Sequence, residues 1–194
     1  MNICVFCSSS DAVDKKYFDF AEKLAAGIAS RKYVLLYGGA KVGLMGTIAK
    51  EAKKLGTKVI GVIPQVIHDK GLALQNLDNL IVTSDMHTRK AKLEELADAF
   101  VALPGGFGTL EELAEVITLK QLEYHKKPII ILNIDDFYKN LLEMFETMYT
   151  ENFAKSDYRK MYFVTENLEE AFNYIENYTV PQLESKWYRT NLNL

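Results

Sequence analysis

Seven short apolar runs, separated by stretches of helical periodicity, constrain this chain more than any other feature. The runs are Asn2–Cys7, Tyr33–Tyr37, Lys58–Ile63, Leu80–Thr83, Ala99–Leu103, Pro128–Asn133 and Tyr162–Thr165. They are apolar throughout rather than alternating, as strands buried on both faces are. Between them, Tyr17, Phe20, Leu24 and Ile28 share one helical face, and Leu110, Leu113, Ile117, Gln121 and Tyr124 share another. Helices are also predicted over Leu44–Leu55, Met86–Ala97, Phe137–Tyr149 and Leu168–Ile175. Strands alternating with amphipathic helices predict an α/β chain: a doubly wound parallel sheet of about seven strands with helices on both faces.

At 194 residues the chain is long enough for one domain with a sizeable core, expected over residues 1–179. Residues 180–194 are polar and poorly periodic, and read as a surface tail or a partner-contacting arm. A net charge of −3 argues against a general nucleic-acid or membrane surface. No basic segment precedes the Ile3–Cys7 run, which is too short for a signal peptide, and no apolar run reaches the roughly 18–20 residues of a membrane span. A cytoplasmic protein is expected. Cys4 and Cys7 have a C-x-x-C spacing, but with no second cysteine pair they read as buried strand residues rather than a redox or metal site.

Ligands of open parallel sheets bind beyond the carboxyl ends of the strands. Three small-residue turns fall there: Cys7–Ser10, the glycine-bearing stretch Gly38–Gly46, and Pro104–Thr109. Gly38–Gly46 is neither a dinucleotide fingerprint nor a Walker A loop, so it reads either as tight strand-to-helix packing or as backbone on which a nucleotide rests. In Pro104–Glu112, glycines between a strand and a helix let backbone N–H groups approach an anion at the positive end of the helix. Thr109-Leu110-Glu111-Glu112 also reads as a capping box, with Thr109 as N-cap and Glu112 reaching back to it. A capping box does not need Gly105, Gly106 and Gly108. Arg89 and Lys90 stand at a predicted helix start, where positive charge opposes the macrodipole; they are either solvated charges or partners of a phosphate or carboxylate. His68, His87 and His125 have no metal-ligand spacing, and no Gly-x-Ser-x-Gly elbow is present.

Met86-His87-Thr88-Arg89-Lys90 followed by Pro104-Gly105-Gly106-Phe107-Gly108-Thr109-Leu110-Glu111-Glu112 resembles the paired motifs M-H-x-R-K and P-G-G-x-G-T-x-x-E of the LOG family. These are cytokinin riboside 5′-monophosphate phosphoribohydrolases, long labelled lysine decarboxylases. Gly43–Gly46 and Cys7–Ser10 fit as well, and the resemblance runs from Met1 to about Glu176. It implies a Rossmann-like fold, usually a homodimer with active sites near the subunit interface, and hydrolysis of a nucleoside 5′-monophosphate to free base and ribose 5-phosphate. It implies Arg89 and Glu112 as the catalytic pair. It implies substrate contacts from Ser8, Gly39, Gly43, Met45, Gly46, Met86, Arg89 and Lys90, from the loop Gly105, Gly106, Phe107, Gly108, Thr109, Leu110 and Glu111, and from Thr118. Neither metal nor organic cofactor is implied. The chain departs from many members in offering no acidic residue in Gly71–Leu77, with Asp78 close to the next strand.

Glycosidic cleavage passes through an oxocarbenium-like state, which a carboxylate such as Glu112 stabilises while it orients or deprotonates water. Arg89 is expected either to clamp the phosphate or to assist the leaving base. Decarboxylating lysine instead needs a carbanion sink such as pyridoxal phosphate on a Schiff-base lysine, and no lysine is marked for that role. Two other readings stay open: a nucleotide-binding module without turnover, and an enzyme acting mainly on plain AMP.

Overall fold

The computed structural model describes residues 1–183; of the expected tail, residues 184–194 lie outside the described residues. The strands are β1 (Asn2–Phe6), β2 (Val34–Tyr37), β3 (Val59–Pro64), β4 (Asn79–Thr83), β5 (Ala99–Ala102), β6 (Ile129–Leu132) and β7 (Phe163–Thr165). Among the described residues they form one sheet in the order β4-β3-β2-β1-β5-β6-β7, every neighbouring pair parallel. All seven coincide with the apolar runs read from the sequence. The helices are α1 (Lys15–Ser30), α2 (Gly43–Lys54), α3 (Gln65–His68), α4 (Met86–Leu96), α5 (Phe107–Gln121), α6 (Lys139–Thr150) and α7 (Leu168–Glu176). The single turn α3 was not anticipated, since four residues carry no readable period.

Strand alternation divides the core in two. Ile3, Val5 and Cys7 face a layer built with α1, α2 and α7; Cys4 and Phe6 face a layer built with α4, α5 and α6. The two cysteines are therefore buried in opposite layers and both are free thiols. Burial pushes both thiols up, Cys4 well above the usual thiol range. Cys4 is packed within β1, and Cys7 is buried directly after its end.

Helix α5 ends earlier than the apolar spacing implied. Glu123 adopts φ +65° directly after the helix cap, and Tyr124 lies outside the helix with 77% exposure. A left-handed residue cannot continue the helix, so the periodic pattern runs past its physical end. None of the described helices is long and apolar enough to cross a membrane.

The sheet order fixes where a ligand can sit. From β1 the chain steps through β2, β3 and β4 on one side, then returns to place β5 on the other. The crevice at this reversal opens beyond the carboxyl ends of β1, β2 and β5. Those are the ends that carry Cys7–Ser10, Gly38–Gly46 and Leu103–Thr109.

Candidate active site

At that crevice lies a cleft of about 600 Å³. The turn after β1 contributes Cys7, Ser8, Ser9 and Ser10. The loop after β2 contributes Gly38, Ala40, Val42 and Met45. The start of α5 contributes Gly106, Phe107, Gly108, Thr109 and Glu112, and the start of α4 contributes Met86 and Arg89. The three turns singled out in the sequence thus share one cavity. An apolar wall of Ile63, Pro64, Ile67 and Leu72 was not anticipated. Its residues come from the end of β3, from α3 and from the following loop, and nothing in their local pattern separates them from ordinary core.

The start of α5 corrects the capping-box reading. The N-cap is Gly106, in extended conformation, and its carbonyl accepts from the Leu110 amide; no side chain caps the helix. Thr109 sits inside the first turn, 4% exposed, against Gly105, where a Cβ would lie 2.1 Å from its Oγ1. The helix therefore begins three residues earlier than a Thr109 cap requires. Glu112 falls in the second turn, too far along to return to the cap amide. The first amides of α5 carry no side-chain partner, as at any uncapped helix start. A Cβ on Gly106 or Gly108 would meet open space.

Glu112 turns instead to Arg89. Nη1 of Arg89 donates to Oε1 of Glu112 at 2.5 Å, and Nε donates to the Val62 carbonyl at 3.2 Å. The two residues are 7% and 8% exposed, so this is a buried pair on the cleft wall. Burial pushes the Glu112 carboxyl above the usual carboxylate range; the adjacent Arg89 charge opposes the shift without cancelling it. Neither residue is a solvated surface charge. Asp85 resolves the macrodipole conflict at α4: it is the N-cap, accepting from the Thr88 amide at 2.8 Å. Hydrogen bonds from Ser84 and Thr88 hold its carboxyl low, at about 2, so an acidic cap accompanies the two basic residues.

Lys90 is also buried, but it stands outside the cleft lining. Its ammonium pairs with Glu111 and, at 2.9 Å, with Glu115, tying α4 to α5. Burial works against its charge, yet the two carboxylates outweigh that and hold its pKa above the usual lysine range. Of the substrate contacts implied by resemblance, Ser8, Met45, Met86, Arg89 and Gly106–Thr109 line the cleft. Lys90, Gly105, Leu110, Glu111 and Thr118 stand outside its lining, as do Gly39, Gly43 and Gly46. The last three are accounted for by packing: a Cβ on Gly43 would sit 2.5 Å from the Ser9 backbone, and one on Gly46 2.1 Å from the Lys41 carbonyl. Gly43 is further anchored by donating its amide to Asp11 at 2.8 Å, a contact with no local sequence signal. Thr118 is exposed, with its hydroxyl donated to the Ala114 carbonyl. Asp78 accepts from the Val59 amide at the amino end of β3, so it supplies no carboxylate to the cleft.

Among the described residues no cluster of potential metal ligands occurs. No lysine lines the cleft, so the lining does not fit pyridoxal phosphate held as a Schiff base.

Comparison with known proteins bears on the family and the fold. Residues 45–175 match a family model described as "possible lysine decarboxylase". The chain is 39% identical to the cytokinin riboside 5′-monophosphate phosphoribohydrolase LOG5 of Arabidopsis thaliana, covering 91% of this chain and 77% of that protein. It is 41% identical to LOG2 of the same plant, covering 91% and 83%. Among solved structures it resembles the molybdenum cofactor binding protein of Rippkaea orientalis, with a TM-score of 0.69 and 25% identity over 90% of this chain and 94% of that one. It also resembles the molybdenum cofactor carrier protein of Chlamydomonas reinhardtii, with a TM-score of 0.67 and 21% identity over 90% and 95%. The fold is Rossmann-like.

Proposed function

Because this chain belongs to the family of the cytokinin riboside 5′-monophosphate phosphoribohydrolases, we propose that it hydrolyses the N-glycosidic bond of adenosine 5′-monophosphates, N6-modified ones included. The products are the free base and ribose 5-phosphate. The observation that carries the reading is the buried Arg89–Glu112 pair beside an uncapped helix start.

The chemistry follows from that arrangement. The 5′-phosphate rests on the open amides of Gly106–Thr109, where the α5 dipole and the absent side chains favour an anion. Phosphate binding fixes the sugar, so the reacting carbon is held rather than found by diffusion. As the bond from the sugar carbon to the base nitrogen breaks, the electron pair leaves with the base and positive charge grows on the ribose. Glu112 faces that charge, orients the water whose oxygen forms the new bond to carbon and accepts its proton, while the departing base takes up a proton from solvent to leave as the neutral free base. Arg89 holds the carboxylate through Nη1, and its Nη2 stands over Gly38, another residue of the cleft wall. The apolar wall of Ile63, Pro64, Ile67 and Leu72 is suited to a base with an aliphatic N6-substituent.

The same fold serves proteins named as cofactor carriers, so fold alone does not distinguish turnover from binding. A binding module has no use for a carboxylate beside a phosphate site, which it repels. The family resemblance also carries a homodimer. Apolar surface at Phe107 (92% exposed), Leu110 and Phe137 next to the cleft supports one, and light scattering of the purified chain tests it.

The catalytic assignment is tested with Glu112→Gln, which keeps the shape and removes the charge. Turnover falls on the order of a hundredfold or more while far-UV circular dichroism stays native. Wild-type turnover in that variant overturns the role given to Glu112.

A further inference from the structure

Gly38 is the first residue after β2 and is buried on the cleft wall. A Cβ built there would lie 2.2 Å from Nη2 of Arg89 and 2.9 Å from Sδ of Met45. Its neighbours in the loop differ in kind. Gly43 and Gly46 are blocked by backbone, and Gly43 also needs φ +58°, so a side chain at either disrupts the loop itself. Gly38 is not among the residues with positive φ, and the atoms in its way are the far ends of two flexible side chains. The backbone can therefore carry a side chain at this position, and Arg89 must yield to it.

What Arg89 loses by yielding is specific. Nε is held by the Val62 carbonyl and Nη1 by Glu112. Among the described residues no hydrogen bond is made by Nη2, the nitrogen over Gly38. We propose that Gly38 is a positioning residue whose missing side chain keeps the pocket for Nη2 open, so that the guanidinium stays locked between β3 and Glu112 with its remaining donors towards the cleft. This rests on the reading of Arg89 and Glu112 as the reacting pair. A methyl group at position 38 displaces the guanidinium, costs Glu112 its partner and covers the donors that face substrate.

The consequence reaches beyond rate. Glu112 is faced by Arg89 from α4, by Cys4 and Cys7 from β1 and its end, by Glu111 on its own helix and by Lys90 across from it. Arg89 is the charge in direct hydrogen-bond contact with it. Displacing Arg89 leaves burial and Glu111 to act on the carboxyl with less opposition, so Glu112 gains its proton at higher pH.

The test is a double-mutant cycle on the full chain with Gly38→Ala, Arg89→Ala and the double variant. Assayed with AMP and N6-isopentenyl-AMP, Gly38→Ala loses about a hundredfold in kcat/KM, and the acid limb of its pH profile moves up, while circular dichroism stays native. In the Arg89→Ala background, where the guanidinium is gone, Gly38→Ala causes less than about a threefold further loss. An equal loss in both backgrounds, or an unshifted pH profile, overturns the proposal. A crystal structure of Gly38→Ala separates this failure from failure of the functional reading. If the wild type releases no base, Arg89 displaced from Glu112 still supports the positioning role, and Arg89 unmoved refutes it.

Discussion

Removing the partner of a buried charge exposes its energetics, and Arg89→Met does this while keeping an unbranched apolar stem in place of the guanidinium-tipped one. The side chains of Arg89 and Glu112 are only 9% and 10% exposed, so a lone Glu112 carboxylate in the variant is desolvated and unpaired. Breaking such a pair costs about 3–5 kcal/mol when the remaining group stays charged. Glu112 can escape that cost by taking up a proton, and burial already favours the neutral form in the wild type. The sign follows from proton counting. The unfolded chain ionises Glu112 near pH 4.3, whereas the folded variant keeps the proton to a higher pH. Between those values the folded state binds more protons, so its stability falls as pH rises, by about 1.4 kcal/mol per unit. Above the folded pKa the loss is complete and levels off. Between pH 5 and 8, Arg89→Met should lose stability relative to Arg89→Met/Glu112→Gln, whose amide does not titrate, with the cost of an unpaired buried charge, about 3–5 kcal/mol, as the ceiling. Urea unfolding at pH 5.0, 6.5 and 8.0 measures the difference. Parallel pH dependence of the two variants would refute the claim that Glu112 is held buried by Arg89.

Three further outcomes are expected. Gly108→Ala, in the first turn of α5 with open space at its Cβ, stabilises the protein by up to about 1 kcal/mol yet lowers kcat/KM; a variant both more stable and fully active places the phosphate elsewhere. His125 is a neutral ring with Nε2 on the Val116 carbonyl and Nδ1 accepting from the Lys127 amide, and burial lowers its pKa to about 4. The unfolded chain then takes up a proton that the folded one refuses. Stability is lost as pH falls from about 6.5 to about 4, by about 2 kcal/mol more in the wild type than in His125→Gln in chemical unfolding. Adenosine, lacking the 5′-phosphate that positions the sugar, reacts at least about a hundredfold less efficiently than AMP in kcat/KM; equal efficiencies would remove the α5 start from the mechanism.

The fold was legible because its signals are local and repeated. Each strand is an apolar run, and α1, α2, α6 and α7 each show an apolar face, whereas α4 buries Arg89 and Lys90 beside Leu93. The cleft was legible for a related reason: three turns of small residues follow strands that the parallel order brings side by side. Arg89 and Lys90 stood out as charges placed against the helix dipole, and both prove to be buried in ion pairs. That anomaly did not reveal that the pairs diverge, Arg89 to the cleft and Lys90 away from it, because one residue along a helix turns a side chain through about 100°. Thr109 misled because its spacing to Glu112 satisfies a capping box, while the actual start, Gly106, contributes only backbone. The wall of Ile63, Pro64, Ile67 and Leu72 had no legible signal, since apolar residues lining a cleft and those filling a core look alike in sequence. Gly38 was read only as part of a loop; its role depends on a guanidinium arriving from 51 positions further along the chain.

The central claim is hydrolysis at the Arg89–Glu112 cleft, and the most direct measurement is product release. Purified protein incubated separately with AMP and N6-isopentenyl-AMP, with Glu112→Gln in parallel, is analysed by chromatography with mass detection. Equimolar free base and ribose 5-phosphate are expected from the wild type with at least one nucleotide, and almost none from the variant. Binding of both nucleotides by calorimetry without any release of base would contradict that claim, and would make the chain a nucleotide-binding protein.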